Sequence, residues 1–223
     1  MSLATFKDLC LDAKDASVLG DFWSIALGME LHHQSDGGAF LTGPTKAHTV
    51  WIDPVPEPKT TKHRTHLDIH GTSIEALTAI GATVIDDQSF SWVVMADPEG
   101  GEFCLFVRDD PPMYRLYGVA FDCADHETLS RWWAAAIGGE RSTEKGGFSC
   151  LAQIPNTPFD NLSFAPVSDA KKSKNRVHID IVAEDTTPLI NAGATLLRPR
   201  DAEIGWDVLA DPEGNEFCVF SGH

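Results

Sequence analysis

The chain has 223 residues, of which 33 are acidic and 17 are basic, and its formal net charge is −16. Nucleic acids and anionic membranes bind through clustered Lys and Arg, so this composition predicts neither partner. The five cysteines form an odd set without CxxC spacing. They therefore indicate neither a disulfide framework nor a zinc ribbon.

The amino terminus has neither a basic region nor an apolar signal segment, and the chain contains no run of about 18 apolar residues. We therefore expect a cytoplasmic protein, present as a monomer or a homodimer, whose partner is a small molecule.

The first predicted elements are a strand over 6–11 and an amphipathic helix over 15–27 that ends at Gly28. The apolar residues expected on the buried face of this helix are Val18, Leu19, Phe22, Ile25 and Ala26. Three short strands follow, over 29–33, 39–42 and 49–52.

A Pro-rich connection at 54–58 leads to a strand over 65–70 and a helix over 73–80 that ends at Gly81. Strands over 83–85, 92–95 and 102–107 complete the half. The pattern of one strand, one helix and three strands thus occurs twice in the first half and predicts two βαβββ modules there.

The second half of the chain repeats the first. The segment around Asp97-Pro98-Glu99-Gly100 returns around Asp211-Pro212-Glu213-Gly214, an offset of 211 − 97 = 114. The strands 64–69 and 176–181 match at an offset of 112, and the helices 21–28 and 131–138 match at 110. Three ordered blocks at nearly one offset indicate a duplication, with domains at 1–110 and 113–223 and two prolines at the boundary.

These repeated motifs resemble the glyoxalase-like branch of the vicinal oxygen chelate superfamily, which includes bleomycin-resistance-type domains. The resemblance implies an α+β fold of tandem glyoxalase-like domains, each with two βαβββ modules that form a curved mixed sheet around a cleft. The sequence leaves open whether modules pair within or between the domains.

Active members of the superfamily usually hold a divalent metal in the cleft. Carried over by position, the first-domain ligands are Asp8, His66 and Cys104. The equivalent second-domain positions hold Gly118, His178 and Cys218. The first and last positions usually hold His and Glu, so we expect no tightly bound metal. Any Zn, Ni, Mn or Fe should bind only in the first domain, because Gly118 offers no ligand.

Strand alternation places Glu102 on the same face as Cys104. We therefore predict Glu102 and His66 as catalytic residues. The predicted ligand-binding residues are Trp51, Asp68, Trp92, His178, Trp206 and Glu216.

Other roles are open for the same residues. The two histidines fit a structural role, and Cys104 and Cys218 fit the core as small buried side chains. Cys104 as a nucleophile with His66 as its base is a further alternative.

The sequence favours a glyoxalase-like protein that binds a small apolar or aromatic molecule in a cleft with a degenerate metal site, for sequestration or metal-free catalysis. The alternative is a metal-dependent lyase, isomerase or dioxygenase of the glyoxalase type. A duplication without any ligand is a third hypothesis.

Overall fold

The computed structural model describes residues 2–222 and contains four βαβββ modules in succession. The first has β1 (Thr5–Ala13), α1 (Ala16–Leu27), β2 (Glu30–His33), β3 (Ala39–Thr42) and β4 (Thr49–Pro54). The second has β5 (Thr65–Gly71), α2 (Ile74–Thr78), β6 (Thr83–Asp86), β7 (Val93–Ala96) and β8 (Glu102–Val107). The third has β9 (Leu116–Cys123), α3 (His126–Ile137), β10 (Glu140–Thr143), β11 (Ser149–Ala152) and β12 (Asn161–Pro166). The fourth has β13 (Val177–Ala183), α4 (Thr187–Asn191), β14 (Thr195–Arg198), β15 (Asp207–Ala210) and β16 (Glu216–Ser221).

The sixteen strands form two eight-stranded mixed sheets. Sheet A has the order β14-β15-β16-β13-β1-β4-β3-β2, and sheet B has the order β10-β11-β12-β9-β5-β8-β7-β6. The predicted α+β class, with two modules in each curved mixed sheet, is confirmed.

Modules pair between the copies of the repeat. The first module joins the fourth in sheet A through β1 and β13, which run antiparallel, and the second joins the third in sheet B through β5 and β9. Each sheet therefore takes one module from each half of the chain, so residues of one half lie in different sheets.

Helix α1 begins and ends where the sequence predicts. Asp15 caps its amino end through the backbone N–H groups of Ser17 and Val18, and Gly28 ends it with a φ of 68° in the left-handed region. The predicted apolar face needs a correction, since Val18 and Ile25 are exposed and Trp23 is buried. The buried stripe follows Leu19, Phe22, Trp23 and Ala26, the i, i+3, i+4, i+7 spacing of one helix face.

The long helices connect the two sheets. Trp23 on α1 packs at 5.2 Å between ring centroids against Phe103 on β8 of sheet B, and Trp133 on α3 packs at 5.5 Å against Phe217 on β16 of sheet A. Each helix thus packs on its own sheet and on one strand of the other sheet, β8 for α1 and β16 for α3. Both sheets therefore share one apolar core.

The Asp-Pro-Glu-Gly turns hold these helices in place. Asp97 accepts hydrogen bonds from the backbone N–H groups of Glu99 and Gly101. The carboxylate of Glu99 then accepts the backbone N–H groups of Lys14 and Asp15 at the start of α1. Glu213 does the same at the start of α3. The repeated motif is therefore a joint between modules of different sheets.

Among the described residues, no helix has the length and apolar character needed to cross a membrane.

Candidate functional site

Each sheet has one face covered by helices and an opposite face rich in polar groups. On β1, Leu9 and Leu11 belong to the apolar core, whereas Asp8 and Cys10 point to the opposite face. Both are nonetheless buried, at 5% and 3% exposure. The strands and connections therefore enclose this face as a cleft.

The sheet A cluster consists of Asp8, Cys10, His178, Asp180 and Cys218. Cys10 lies opposite His178 and Asp8 opposite Asp180 in the pairing of β1 with β13. The Nε2 atom of His178 lies 3.3 Å from Asp180 Oδ1 and 3.5 Å from Cys218 Sγ. Two strands from opposite ends of the chain thus form one cluster of imidazole, thiol and carboxylate groups.

Burial and mutual contacts set the charges in the sheet A cluster. Burial, together with the neighbouring Asp180 carboxylate, raises the pKa of Asp8 to about 6. Burial raises the pKa of Cys10 to about 12. For His178 burial acts in the opposite direction, but contacts with Cys10 and Asp180 outweigh it and raise the pKa well above its usual value. The surroundings therefore disfavour deprotonation of the Cys10 thiol and favour protonation of the His178 imidazole.

Three atoms of the sheet A cluster are buried without a hydrogen-bond partner, namely Asp8 Oδ1, His178 Nδ1 and Asp180 Oδ1. An unsatisfied buried polar group costs about 1 to 3 kcal/mol. Donor atoms of His178, Asp180 and Cys218 lie within 4.8 Å of one another, as do those of Cys10, Asp12 and His178. Imidazole, thiolate and carboxylate are zinc ligands, so these residues fit a borderline-soft divalent cation.

The sheet B cluster consists of His66, Asp68, Cys104 and Asp122. His66 Nδ1 lies 3.4 Å from Asp68 Oδ1, and His66 Nε2 lies 3.7 Å from Asp122 Oδ1. Burial lowers the pKa of His66, but contacts with the Asp122 and Asp68 carboxylates outweigh it and raise the pKa well above its usual value. The position equivalent to Asp8 is Gly118, so β9 contributes no ligand there.

Cys104 is poorly suited to act as a nucleophile. Its Sγ lies 3.8 Å from His66 Nδ1, within reach of a weak hydrogen bond. Burial nevertheless raises the pKa of the Cys104 thiol. The reactive thiolate is therefore disfavoured.

The two clefts differ along one row of side chains that crosses the paired strands. In sheet A the row runs His32, Phe40, Trp51, Cys10, His178. In sheet B it runs Ser142, Cys150, Ser163, Ala120, His66. Aromatic groups fill this side of sheet A, whereas small side chains leave the same side of sheet B open.

The other side of the sheet B cleft is aromatic. Trp92 stacks on Phe90 with centroids 4.9 Å apart and on Phe106 at 5.7 Å, and Phe106 lies 5.2 Å from Tyr117. Tyr117 lies between paired residues at a β-bulge opposite Asp68 and Ile69. Phe90 is 51% exposed. We call these four residues the aromatic wall.

The structure brings two of the three predicted metal ligands together, because donor atoms of His66 and Cys104 lie, with one of Asp68, within 4.8 Å of one another. Asp8 lies in sheet A beside Asp180, whereas His66 and Cys104 lie in sheet B. The set Asp8, His66, Cys104 in a first-domain site is thus corrected, because the modules of one half belong to different sheets. Asp8 instead faces the fourth module.

Glu102 and Glu216, the predicted catalytic and ligand-binding carboxylates, form hydrogen bonds with the segments that connect the modules. Glu102 accepts hydrogen bonds from Lys59 Nζ at 2.8 Å and from the backbone N–H of His63 at 2.9 Å. Glu216 binds Lys171 Nζ and the backbone N–H of Asn175 in the same way. Burial opposes the charge of Glu102, but the Lys59 contact outweighs it and lowers the pKa. Both carboxylates therefore anchor the connecting segments, and their catalytic and ligand-binding roles stay predictions.

The predicted tryptophans lie on the cleft faces. Trp51 donates from Nε1 to Asp8 Oδ2 at 3.0 Å, Trp206 stacks on Phe220 at 5.2 Å, and Trp92 belongs to the aromatic wall. Asp68 and His178 lie in the two clusters.

Sequence reasoning missed Cys10, Asp180 and Asp122 as cluster members. The period of two along a strand would have placed Cys10 beside Asp8 and Asp180 beside His178. Asp122 required the pairing of β9 with β5, which brings it near His66.

The model of the glyoxalase-like domain family matches the chain twice, at residues 8–106 and 118–220. The chain therefore belongs to this family, within the vicinal oxygen chelate superfamily. Among solved structures it resembles glyoxalase I from Zea mays, with a TM-score of 0.71, 16% identity, and coverage of 98% of this chain and 92% of that one. It also resembles a putative dioxygenase from Bacillus subtilis, with a TM-score of 0.68, 13% identity, and coverage of 99% and 86%. No curated protein matches it in sequence. At these identities the structural likeness establishes the fold alone.

Proposed function

We propose that this glyoxalase-like protein binds a flat, small organic molecule in the sheet B cleft, without a metal in that cleft. The observation that carries the proposal is the pairing of the aromatic wall with small side chains opposite it. Large aromatic surfaces that remain partly exposed are typical of ligand sites. The small residues, among them Ala120 and Ser163, provide the space that Cys10 and Trp51 take up in sheet A.

The floor of the sheet B cleft supplies polar contacts. His66 lies between Asp68 and Asp122, and Asp68 Oδ1 is buried without a hydrogen bond, so it would accept one from an N–H or O–H group of a ligand. This arrangement serves sequestration, and it serves proton transfer without a metal when the ligand is reactive. Mass spectrometry of a ligand recovered after incubation separates the two, because sequestration returns it unchanged.

Calorimetric titration with neutral polycyclic and cationic aromatic compounds tests the proposal. Ser163→Trp restores the bulk that Trp51 has in sheet A, so it should abolish binding. The control is Ser35→Trp, an equal change in the exposed turn between β2 and β3. Equal affinity in both variants would refute the assignment to sheet B.

The second candidate is metal-dependent lyase, isomerase or dioxygenase chemistry in the sheet A cleft. The three unpartnered atoms of Asp8, His178 and Asp180 favour it. His178 and Cys218 would hold the ion, with Asp180 or Asp8 as a carboxylate ligand, and the ion would polarise a substrate oxygen.

Cobalt(II) as a spectroscopic substitute for zinc tests this candidate. A thiolate-to-cobalt absorption band should appear in the wild-type protein and in His66→Ala, and it should be absent in His178→Ala. If the band persists in His178→Ala and disappears in His66→Ala, the metal site lies in sheet B instead. No band in the wild-type protein would exclude a thiolate site.

A further inference from the structure

Two ten-residue linkers meet between the sheets and repeat one pattern of charge. Linker 1 (55–64) joins β4 to β5, and linker 2 (167–176) joins β12 to β13. Lys59-Thr60-Thr61-Lys62-His63-Arg64 in linker 1 corresponds to Lys171-Lys172-Ser173-Lys174-Asn175-Arg176 in linker 2. Thr61 Oγ1 lies 2.6 Å from Ser173 Oγ. The linkers thus contact each other at residues related by the repeat.

A cavity of about 130 Å³ opens between the two linkers. A water molecule needs only about 10 to 15 Å³ measured in this way, so the cavity accommodates a polyatomic ligand. The cations that line it are Lys59, Lys62, Arg64, Lys174 and Arg176, and the anions are Asp12 and Glu57. Five of the 17 basic residues thus surround one cavity of a chain with net charge −16.

Several side chains that line the cavity have N–H donors without a hydrogen-bond partner. Lys62 binds Asp122 and Lys174 binds Asp12, yet their side chains are 60% and 51% exposed. An ammonium group has three donors, so each lysine retains N–H groups for a ligand. Arg64 Nε and His63 Nε2 are buried without a hydrogen-bond partner. A ligand with several acceptor oxygens would satisfy donors that the protein leaves unpaired.

We propose that the cavity between the linkers is a binding site for a phosphate group, either as inorganic phosphate or as part of a small phosphate monoester. Phosphate matches the site in charge and shape. Guanidinium forks and lysine ammonium groups are the usual phosphate donors. A tetrahedral dianion can present oxygens to linker 1 and linker 2 at once. Lys59, Lys62, Lys174 and Arg176 each form an ion pair with one carboxylate. The donors left for a dianion are therefore the guanidinium of Arg64 and the N–H groups that these ion pairs leave free.

The alternative explanation is that the cations only neutralise the buried carboxylates Asp12 and Asp122. In that case added phosphate would act on stability only as a general salt. Specific binding instead gives a saturable calorimetric titration, and it stabilises the folded state by RT ln(1 + c/Kd) at a free ligand concentration c.

The test uses thermal unfolding and calorimetric titration with inorganic phosphate, at constant ionic strength with chloride as the reference. The calorimetric titration of the wild-type protein should saturate with a Kd in the millimolar range, and the Tm should rise with the logarithm of the phosphate concentration above that Kd. The affinity should fall at least tenfold in Lys62→Gln/Lys174→Gln. It should be unchanged in Lys46→Gln/Lys145→Gln, which removes the same charge from two exposed loops. Titration with glycerol 3-phosphate then distinguishes the sources, since tighter binding than inorganic phosphate indicates a monoester and weaker binding indicates the free ion.

An equal response in both lysine pairs, or a calorimetric titration that does not saturate, would overturn the proposal. If Lys62→Gln/Lys174→Gln does not fold, Arg64→Lys takes its place, because it retains the charge but removes the planar fork. The phosphorus NMR line of phosphate should broaden with wild-type protein and much less with Arg64→Lys. Equal broadening in the two proteins would reject the site.

Discussion

Asp8 and Asp180 lie opposite each other across the pairing of β1 with β13, although 172 positions separate them, 180 − 8 = 172. The two carboxylates are 5% and 4% exposed, and each has an unpartnered oxygen. Burial and the Asp180 carboxylate raise the pKa of Asp8, and Lys7, whose Nζ lies 2.6 Å from Asp8 Oδ2, offsets this only in part. A further cation or a proton would relieve the repulsion that remains.

Asp8→Asn should stabilise the protein at alkaline pH. The raised pKa of Asp8, about 6, means that the folded state holds a proton that the unfolded state releases above its ordinary pKa of 3.8. The stability linked to this proton is present below pH 3.8 and is lost as the pH rises through 6. At pH 8 the variant should gain about 3 kcal/mol, because the pKa rises from 3.8 to about 6 and each pKa unit corresponds to about 1.4 kcal/mol.

Urea unfolding of both proteins from pH 4 to pH 8 measures this difference. The gain should shrink towards zero at pH 4. Asp21→Asn, on the exposed face of α1, is the control and should show no such trend. A constant difference at all pH values would mean that repulsion between Asp8 and Asp180 is not its source.

His63 should make the protein sensitive to mild acid. Burial lowers the pKa of His63 to about 4, so below pH 6.5 the unfolded state binds a proton that the folded state does not. Its contribution is present above pH 6.5 and is lost as the pH falls towards 4. His63→Asn installs the residue that linker 2 has at this position, Asn175.

Between pH 7.5 and pH 4.5 the wild-type protein should lose about 2 kcal/mol more stability than His63→Asn, allowing for partial exposure of the ring. Guanidinium unfolding at the two pH values measures it. His33→Asn, at an exposed position on β2, should retain the wild-type slope. If His63→Asn also keeps that slope, another group is responsible.

The sequence predicted the modules well because their signals are local. The period of the apolar residues, Asp15 as a cap and Gly28 as a left-handed terminus all lie within one helix and its ends. Each local pattern occurs in both halves of the chain, which supports its assignment twice. The arrangement of the modules in mixed sheets was implied by the family resemblance.

The candidate site could not be predicted to the same extent, because it depends on which modules pair. Asp8 would face Asp180 or Asp68 according to which of two similar modules pairs with the first one. The roles of Glu102 and Glu216 depended similarly on Lys59 and Lys171, whose linkers have no periodic pattern.

Gly118 should tolerate no side chain without a cost. A Cβ atom there would lie 2.7 Å from Asn161 Oδ1 and 3.0 Å from the backbone oxygen of Asn161. Gly118→Ala should therefore destabilise the protein by about 1 to 3 kcal/mol, the usual cost of overpacking. Thermal unfolding of Gly118→Ala, Asn161→Ala and the double variant measures it.

In the double variant, part of the cost of Gly118→Ala should disappear, because the amide of Asn161 is gone while its backbone oxygen remains. Strict additivity of the two substitutions would show that the Asn161 side chain moves aside freely. The Asn161 side chain would then not explain why a glycine is needed at position 118.

The last prediction concerns which ligands the aromatic wall selects. The sheet B cleft contains the carboxylates of Asp68 and Asp122, and Asp160 lies close enough to affect the pKa of Tyr117. An aromatic cation gains from stacking on Trp92 and from these charges, whereas a dicarboxylate is repelled by them. We therefore expect aromatic cations and neutral polycyclic compounds to quench tryptophan fluorescence at lower concentrations than dicarboxylates or phosphorylated compounds. Trp92→Phe should remove most of the quenching, and the control Trp206→Phe, in sheet A, should leave it intact. Asp68→Asn should weaken the cation several-fold and leave a neutral polycyclic compound unchanged, since only the cation senses that charge. A phosphate monoester should not displace a bound aromatic cation, because its proposed site lies between the linkers. Competition between the two at one site, or quenching that survives in Trp92→Phe and vanishes in Trp206→Phe, would place the organic ligand outside the sheet B cleft.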